Sequence, residues 1–513
     1  MDVLFVNPGN AKKIYQDLAD DYSAIETPTW SLLLAQSCRS VGYKVGILDV
    51  NAERLTDEEA VNRMESLNPR LICFVVYGQN PNSGTVNMSG TVLLASEIKK
   101  RGLKQPIAVA GSHVQALPFE TLDRERDIDI IFTNEGVYSL WNLLKEDLSD
   151  SDLSRLKHVK GIGFRINGRA HLTLPERIVP QEHMDDHLPG YAWDLLPYKD
   201  RPLDLYRSHF WHAEYDHEKR SPFAAIYTSL GCPFKCTFCM INIINRSDND
   251  PIGVASNYSK MRFWSPEFII KEFDKLVTMG VQTLRISDEM FLLNKKYYVP
   301  LCEMLRDRGY GEKLSMWAYS RVDTIRDPKN LLLLKDAGIK WLGIGIESAD
   351  PNVRLQVTKG KFENLDIRTI IKQVHDSGLE VIANYLFGLT GDNTESMQKT
   401  LDLSLELNTI AWNGYAVMAL PGSKVYQEAL RLGHELPKDY IGYSFHSYET
   451  KPLPTEHLTP AEILAFRDDA WQKYHTNPLF LDKIEQKYGK KIRKNIEDMT
   501  KIKLKRRILG HEK

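Results

Sequence analysis

The stretch Gly231-Cys232-Pro233-Phe234-Lys235-Cys236-Thr237-Phe238-Cys239-Met240 places three cysteines at the spacing C-x3-C-x2-C. Residues 223–230, immediately before it, are mostly apolar and predict a buried strand, so the cysteines occupy the loop that follows a strand. Three thiolates on one short loop can converge on a single metal centre. A four-iron cluster is normally held by four cysteines, and a fourth is missing nearby. One iron would therefore lack a protein ligand and could bind a small molecule.

Two other uses of these cysteines fit the sequence less well. A structural zinc site usually draws two separated pairs of ligands into a tetrahedron, whereas Cys38, Cys73 and Cys302 stand alone in apolar or helical runs. Disulfides are disfavoured because only six cysteines occur in 513 residues and no secretory signal is evident. We therefore expect the three clustered cysteines to hold an iron-sulfur cluster.

The composition is that of an ordinary globular protein with two to three domains, because 42% of its 513 residues are hydrophobic and 26% are charged. The net charge of −2 gives no general attraction to nucleic acid or to an anionic membrane. No apolar run reaches the length of a membrane span. We expect a protein of the reducing cytoplasm, without a clear nucleic-acid site.

Short apolar runs alternate with helical stretches in the first part of the chain. The predicted strands are residues 3–6, 45–48, 71–76, 107–110 and 128–132, and the predicted helices are residues 31–41, 57–66, 90–101, 119–122 and 140–148. This alternation predicts a parallel sheet wrapped by helices, of the Rossmann-like or flavodoxin-like type. Ligands of such sheets bind beyond the C-terminal ends of the strands.

The alternation resumes at residue 223. Predicted strands at residues 283–286, 315–318, 341–346, 380–387 and 414–419, with helices such as 266–279 and 367–377 between them, complete six units with the strand before the cysteines. Residues 150–215, which include a hairpin-like piece at 161–165, form a connecting segment. We therefore predict domains at residues 1–150, 151–215, 216–425 and 426–513, the last of them helical.

Residues 483–507 hold eleven Lys or Arg against three acidic residues. This charge pattern indicates a solvated helix face or, alternatively, a site for nucleic acid or an anionic partner.

Further motifs accompany the cysteines in a fixed order: Asp49-Val50-Asn51-Ala52-Glu53, Gly111-Ser112-His113 with Pro118, Asn134-Glu135-Gly136 and Arg262-Phe263-Trp264-Ser265-Pro266. Together they resemble the cobalamin-binding radical S-adenosylmethionine (SAM) enzymes over roughly residues 1–425. The resemblance implies an α/β protein with a Rossmann-like, doubly wound parallel sheet, a partial (β/α)6 radical SAM barrel and a helical C-terminal region. It also implies three cofactors: a 4Fe-4S cluster held by Cys232, Cys236 and Cys239, SAM on the open iron, and cobalamin.

The chain departs from the better-known cobalamin motif, D-x-H-x-x-G. The loop after the first strand is Asn7-Pro8-Gly9-Asn10-Ala11-Lys12, and no histidine occurs before His113. A histidine from this loop therefore cannot bind cobalt from below. The resemblance implies cobalamin contacts from residues at the strand ends, namely Asn7, Asn51, Gln79, Ser83, Gly84, Thr85, Gly111, Ser112, His113 and Glu135. The small residues in this set also fit tight turns, and His113 also fits a histidine that is hydrogen-bonded within its loop.

The resemblance places SAM at the strand ends of the barrel, where catalytic groups of such barrels lie. The candidates are Phe238, Ser287, Asp288, Glu289, Ser320, Arg321 and Glu347. Carboxylates suit the cationic groups of SAM because charge-assisted hydrogen bonds are the stronger ones. Alternatively, Glu347 pairs with Arg321 to brace the barrel, and the polar groups of adjacent strand ends pair with one another.

The implied activity is C-methylation of an unactivated carbon in a small-molecule substrate through a 5′-deoxyadenosyl radical. Cyclisation or rearrangement with the same cofactors is one alternative, and a non-catalytic cobalamin or cluster sensor is another. The resemblance also implies an electron donor such as flavodoxin or ferredoxin. The catalytic residues and the substrate are not predicted by the sequence.

Overall fold

Two sheets form the framework of the chain, one mainly parallel and one entirely parallel. The computed structural model describes residues 1–78, 83–150, 152–198, 200–209, 219–244, 248–249, 251–254, 260–325, 327–358 and 365–513.

The first sheet has seven strands in the order β2-β1-β3-β4-β5-β6-β7. They are β1 (Val3–Asn7), β2 (Val45–Asp49), β3 (Leu71–Val75), β4 (Ile107–Ala110), β5 (Ile130–Phe132), β6 (Ile162–Ile166) and β7 (Arg169–Leu172). Strands β1–β5 are parallel, and β6 and β7 add an antiparallel hairpin beside β5. Side chains of β1, β3 and β4 are buried on both faces because helices cover both sides of the sheet.

The second sheet has six strands, all parallel, in the order β15-β14-β13-β12-β11-β8. Its strands are β8 (Phe223–Ile226), β11 (Thr283–Ile286), β12 (Ser315–Arg321), β13 (Ile339–Glu347), β14 (Glu380–Phe387) and β15 (Ala411–Ala416), while β9 (Ser229–Leu230) and β10 (Arg262–Phe263) form a separate antiparallel pair. The sheet is a curled half-barrel.

The α-helices lie between and after these strands. They are α1 (Ala11–Tyr15), α2 (Thr29–Ser40), α3 (Asp57–Leu67), α4 (Gly84–Lys100), α5 (Ser112–Ala116), α6 (Pro118–Arg124), α7 (Val137–Leu143), α8 (Met184–His187), α9 (Ile241–Ile244), α10 (Pro266–Thr278), α11 (Lys295–Asp307), α12 (Tyr310–Lys313), α13 (Pro328–Asp336), α14 (Pro351–Thr358), α15 (Ile367–Asp376), α16 (Thr394–Leu407), α17 (Lys424–Leu432), α18 (Pro460–His475), α19 (Pro478–Tyr488) and α20 (Lys490–Lys501). The start of α18 shows how the sequence sets a boundary. Thr459 and Glu462 form a capping box, and Pro460 occupies the first turn, where its missing N–H costs nothing.

The predicted α/β class, the parallel N-terminal sheet and the six-stranded half-barrel are confirmed, with three differences in detail. The sixth barrel strand is Ala411–Ala416, which begins before the predicted residues 414–419, because its pairing with β14 already starts at Ala411. The predicted strand 223–230 is interrupted, since residues 229–230 pair with β10. Helix α4 starts at Gly84, so Gly84 and Thr85 belong to a helix and not to a loop.

A buried ion pair joins the first sheet to the segment that precedes α10. An Nη2 atom of Arg262 lies 2.7 Å from Oε2 of Glu135, and the side chains are only 5% and 1% exposed. Both residues also bind the backbone of Val179, whose N–H donates to Glu135 (2.6 Å) and whose carbonyl accepts from Arg262 (2.6 Å). Two of the sequence motifs therefore meet in one structural contact, which occupies the carboxylate of Glu135.

Within the described residues, none of the helices combines the length and the apolar character that crossing a bilayer requires.

Replacement of Glu135 by Ala should destabilise the fold strongly, because it leaves the buried Arg262 guanidinium without its carboxylate. Loss of one partner of a buried pair costs about 3–5 kcal/mol, so the midpoint of urea unfolding should fall markedly. The control is Glu406→Ala, since Glu406 pairs with Arg368 at the surface, where both side chains are more than half exposed. Equal effects of the two substitutions would contradict the role given to Glu135.

Candidate functional site

One large cavity, of about 1020 Å³, lies where strand ends of both sheets face each other. The first sheet contributes polar and aromatic residues at or just after its strands, among them Asn7, Asn51, Tyr77 and Ser83. The second sheet contributes Ser287, Glu289, Ser320, Arg321 and Glu347 in the same way. The two sheets therefore present their ligand-binding edges to one shared space.

The cysteine loop follows β8 and forms part of the cavity wall. Cys232 is buried, Cys236 and Cys239 are half-buried, and Cys239 lines the cavity. The loop is held by Thr237, whose N–H donates to the carbonyl of Val357 (2.9 Å) and whose carbonyl accepts from the N–H of Val425 (3.0 Å). Backbone contacts to two other segments thus fix the positions of the thiols.

The thiols are poor acids in the absence of a metal. Burial raises the pKa of Cys236 to about 11 and that of Cys239 to about 12, and it raises the pKa of Cys232 well above its usual range. Their mutual repulsion adds to this effect, whereas Arg321 lowers the pKa of Cys236. Binding to iron would supply the positive charge that three neighbouring thiolates need, so this donor set fits an iron-sulfur cluster.

No three His, Cys, Asp or Glu side chains of the described residues converge as ligands of one metal ion. A four-iron cluster requires a different arrangement, because each cysteine binds a different iron atom.

Asp288, a predicted SAM contact, supports the cysteine loop and does not line the cavity. Its carboxylate accepts hydrogen bonds from the N–H (2.6 Å) and hydroxyl (2.7 Å) of Thr228 and from the hydroxyl of Ser229 (2.6 Å). Three donors therefore occupy the buried carboxylate. These hydrogen bonds fix the backbone between the end of β8 and the start of the cysteine loop.

Glu289 presents an acidic group to the cavity. Its Oε2 atom is buried and has no hydrogen-bond partner. Burial raises its pKa to about 8. A cationic ligand group would satisfy this oxygen and stabilise the ionised carboxylate, so the residue fits the ammonium group of SAM.

Glu347 reaches the cavity through an unusual backbone conformation. Its φ of 67° lies in the left-handed region, and the pairing of β13 with β14 shifts register between Gly345 and Glu347. A Cβ atom at Gly345 would lie 2.5 Å from Oε1 of Glu347, so glycine leaves room for the carboxylate. Burial raises the pKa of Glu347 to about 7, with Arg321 opposing the change. Such strain and bulges are frequent next to active sites.

Arg321 is paired with Asp323, so the alternative in which it pairs with Glu347 is not observed. Its Nε and Nη2 atoms donate to the two carboxylate oxygens of Asp323 at 2.9 and 2.5 Å. Its guanidinium stacks 3.6 Å from the ring centre of Phe234, and Nη1 lies 3.8 Å from Sγ of Cys236. Arg321 therefore braces the cysteine loop and places a positive charge beside it.

The other SAM candidates also reach the cavity. Phe238 and Ser287 line it, and Ser320 does so while its hydroxyl shares a hydrogen bond with that of Thr324 (2.5 Å).

Three of the cobalamin candidates line the cavity: Asn7, Asn51 and Ser83. The amide of Asn7 donates to the buried carboxylate of Asp49 (2.7 Å), which also accepts from the hydroxyl of Tyr206 (2.7 Å). Burial raises the pKa of Asp49 to about 6. This network fixes the side chain of Asn7 at the end of β1. The volume of the cavity and its polar first-sheet wall fit a large cofactor at this edge.

The remaining cobalamin candidates of the described residues pack within the fold and do not line the cavity. Thr85 and His113 share a hydrogen bond (Oγ1–Nδ1 3.1 Å), and the His113 ring packs edge-on against Tyr440. Gly84 and Gly111 allow close packing against Val76, since a Cβ atom at either would lie 2.7 Å from its carbonyl oxygen. Ser112 is buried beside Gly84 and, like these residues, does not line the cavity. Gln79 lies outside the described residues.

The sequence did not identify an ion pair in the cavity wall. Nη1 of Arg285 lies 2.6 Å from both carboxylate oxygens of Glu26, and the Arg285 guanidinium stacks 5.1 Å from the ring centre of Tyr319. Both charged side chains are 6% exposed. An arginine within the apolar strand β11 signals a buried acidic partner. That partner lies 259 positions away, so the sequence alone does not identify it.

Three histidines in the cavity wall, His209, His446 and His511, were also missed. Burial lowers the pKa of both His209 and His446 to about 3, so their rings are neutral at physiological pH.

Two families of known proteins match different parts of the chain. The model of the Radical SAM superfamily matches residues 226–404, and that of the B12 binding domain matches residues 16–143. An uncharacterized methyltransferase of Pyrococcus horikoshii is 24% identical over 90% of both chains. An anaerobic magnesium-protoporphyrin IX monomethyl ester cyclase of Cereibacter sphaeroides is 22% identical over 90% of this chain and 68% of its own length.

A solved structure shares the complete fold. The radical SAM methyltransferase TsrM of Kitasatospora setae, determined with cobalamin and a 4Fe-4S cluster bound, superposes with a TM-score of 0.66 over 97% of this chain and 100% of its own, at 15% identity. The B12-binding match falls on the first sheet and the Radical SAM match on the second, in the order seen in the sequence motifs. The chain belongs to the cobalamin-binding radical SAM family.

Proposed function

We propose that this enzyme is a C-methyltransferase that uses cobalamin, SAM and a 4Fe-4S cluster to methylate an unactivated carbon of a small-molecule substrate. The shared cavity carries the proposal, because its wall combines the cysteine loop, the carboxylates of the second sheet and the polar strand ends of the first. The match to a methyltransferase over 90% of both chains supports methyl transfer.

Three groups of residues would hold the cofactors. Cys232, Cys236 and Cys239 would bind the cluster; Phe238, Ser287, Glu289, Ser320 and Glu347 would surround SAM; and Asn7, Asn51 and Ser83 would contact cobalamin. When bound, the cluster and SAM supply a carbon radical, and cobalamin supplies the methyl group. We propose that residues 1–150 form the cobalamin-binding domain and that residues 216–425 form the domain that binds the cluster and SAM. Residues 151–215 would connect the two domains, and residues 426–513 would form the C-terminal region.

Glu289 and Glu347 orient SAM through its cationic groups. Their carboxylates lie in the cavity, and burial raises the pKa of each. A cation bound beside them lowers these pKa values, so ligand binding and ionisation of the carboxylates favour each other. When no cation is bound, the raised pKa values favour the neutral carboxyl groups, so the two glutamates avoid carrying uncompensated charges in the cavity wall.

Aromatic side chains and paired charges exclude water from the reacting groups. Trp30 and Tyr77 stack with their ring centres 4.5 Å apart in the wall, and Arg285 with Glu26 closes the boundary between the two sheets. Exclusion of water protects a reactive intermediate and strengthens the electrostatic contacts in the site.

A ring-forming reaction with the same cofactors is the second candidate, and the match to a cyclase over 90% of this chain favours it. The two reactions differ in their products, because only methylation adds one methylene unit to the mass of the substrate. A non-catalytic sensor would form no 5′-deoxyadenosine when reduced in the presence of SAM.

We also propose that a flavodoxin or ferredoxin supplies the electron and that the reducing cytoplasm is the working compartment. Either protein should support SAM cleavage in place of a chemical reductant.

Alanine substitution of Cys232, Cys236 or Cys239 should abolish both the iron-sulfur absorbance and SAM cleavage in protein reconstituted without oxygen. The unsubstituted enzyme should form 5′-deoxyadenosine and, with its substrate, a product heavier by one methylene unit. Cys302→Ala is the control, because Cys302 is buried in α11, away from the cavity. Full iron content and activity in the triple alanine variant would overturn the proposal.

The Glu347→Gln variant should bind SAM roughly ten- to a hundredfold more weakly, because a hydrogen bond to a charged group contributes about 1.5–3 kcal/mol. Iron content and cobalamin loading should not change. Glu380→Gln is the matched control, since Glu380 begins β14 at the opposite end of the same sheet and pairs with Lys487. Unchanged affinity for SAM, measured by isothermal titration calorimetry, would exclude Glu347 from the site.

Bound cobalamin should carry no axial nitrogen from the first sheet. Neither the loop after β1 nor His113 places a histidine in the cavity wall. Electron paramagnetic resonance of the cob(II)alamin state should therefore show no nitrogen hyperfine splitting from a histidine of the first sheet. Clear splitting that disappears in the His209→Ala or His446→Ala variant would instead identify a ligand among the two neutral histidines of the cavity.

A further inference from the structure

We propose that the substrate binds against residues 502–511 and that it is an amphipathic anion. Its apolar body would contact Leu504 and Leu509, and its negatively charged group would face Lys503. This inference rests on the proposed function, because it concerns the third molecule that the cavity must hold.

The segment 502–511 forms a wall that belongs to neither sheet. Five of its residues line the cavity: Ile502, Lys503, Leu504, Leu509 and His511. The residues assigned to SAM follow strands of the second sheet, and those assigned to cobalamin follow strands of the first. The wall formed by this segment is therefore a part of the cavity that is assigned to none of the cofactors.

Arg506 anchors the segment from within. Its side chain is fully buried, and its Nε and Nη2 atoms donate to the carboxylate of Asp468 at 2.8 and 2.9 Å. Its Nη1 atom donates to the carbonyl of Ser447 and the hydroxyl of Thr450, each at 3.0 Å. A buried guanidinium with a full set of acceptors has one favourable position, so the path of the backbone on either side is fixed.

Gln16 holds the same segment from the N-terminal side. Its amide nitrogen donates to the carbonyls of His446 (2.7 Å) and Lys505 (3.1 Å), and its amide oxygen accepts from the N–H of Lys505 (3.0 Å). Together with the bonds of Arg506, these bonds tie the segment to residue 16 and to residues 447–468. The segment is therefore a fixed wall whose side chains can select a ligand.

The apolar side chains of this wall are incompletely buried. Ile502, Leu504 and Leu509 are half-buried and face a cavity that Phe445 and Trp471 also line. An apolar ligand would remove this surface from water, which is the main source of affinity in most small-molecule sites.

Lys503 gives the wall its charge. Each arginine that lines the cavity has a carboxylate partner, as shown by the pairs Arg285–Glu26, Arg321–Asp323 and Arg467–Asp468. Lys503 is exposed and donates to the amide oxygen of Gln472, and it has no ion pair with a carboxylate in the described part of the chain. An anionic group of the ligand would form an ion pair with the Lys503 ammonium, just as cationic groups would pair with Glu289 and Glu347.

Two fluorescent dyes of similar shape test the proposal on protein loaded with cluster, cobalamin and SAM. One is the anion 8-anilinonaphthalene-1-sulfonate, and the other is the neutral N-phenyl-1-naphthylamine. The double variant Leu504→Ala, Leu509→Ala should bind both dyes about tenfold more weakly, because apolar contacts are lost. Lys503→Gln should weaken the anionic dye about three- to fivefold, as expected for an exposed charge, and leave the neutral dye unchanged.

The controls are Leu430→Ala with Leu432→Ala, two exposed leucines outside the cavity, and Lys505→Gln, the nearby exposed lysine. None of these should affect either dye. The proposal is overturned if neither dye binds, if the leucine pair has no effect, if Lys503→Gln acts on both dyes alike, or if the leucine pair weakens SAM equally. Dye binding needs no turnover, so a protein that binds the dyes as expected but transfers no methyl group would contradict the proposed function alone.

Discussion

Buried charges paired across the boundary between the two sheets are the constraint on which the rest of the structure depends. Glu26 with Arg285 and Glu135 with Arg262 each join an acidic residue of the N-terminal half to an arginine of the second half. Such pairs contribute little net stability, but an isolated member would be very costly, so each allows one relative placement of its elements. That placement brings the C-terminal ends of the parallel strands of both sheets to a single cavity.

The acidic residues of the cavity differ from these pairs in one respect that matters for binding. Glu289 and Glu347 are partly buried and have no basic partner at hydrogen-bond distance in the described structure, and the backbone of Glu347 is strained. Strain of this kind costs about 1–3 kcal/mol and persists because the surrounding sheet determines the conformation. The protein thus leaves these acidic groups available at the place where cationic ligand groups are expected.

The sequence predicted the architecture well because the strands of both sheets are short apolar runs separated by helical stretches, and because the cysteine spacing is specific. It predicted the site less completely. Asp288 and His113 follow strands, as ligand-binding residues often do. However, Asp288 accepts hydrogen bonds from Thr228 and Ser229, and His113 shares one with Thr85. Which polar group is taken up by a neighbour depends on contacts between residues far apart in the chain. The partner of Arg285 and the wall at residues 502–511 were missed for the same reason.

The contact between Gln16 and Lys505 has a consequence for the order of assembly. The two residues are separated by 489 positions, so the loop that their contact closes contains almost the entire chain. Loop closure over such a span is entropically unfavourable until the intervening parts are folded. During synthesis, residues 502–511 also emerge after every other element of the wall. The cavity therefore lacks this wall until residues 502–511 have reached the folded sheets.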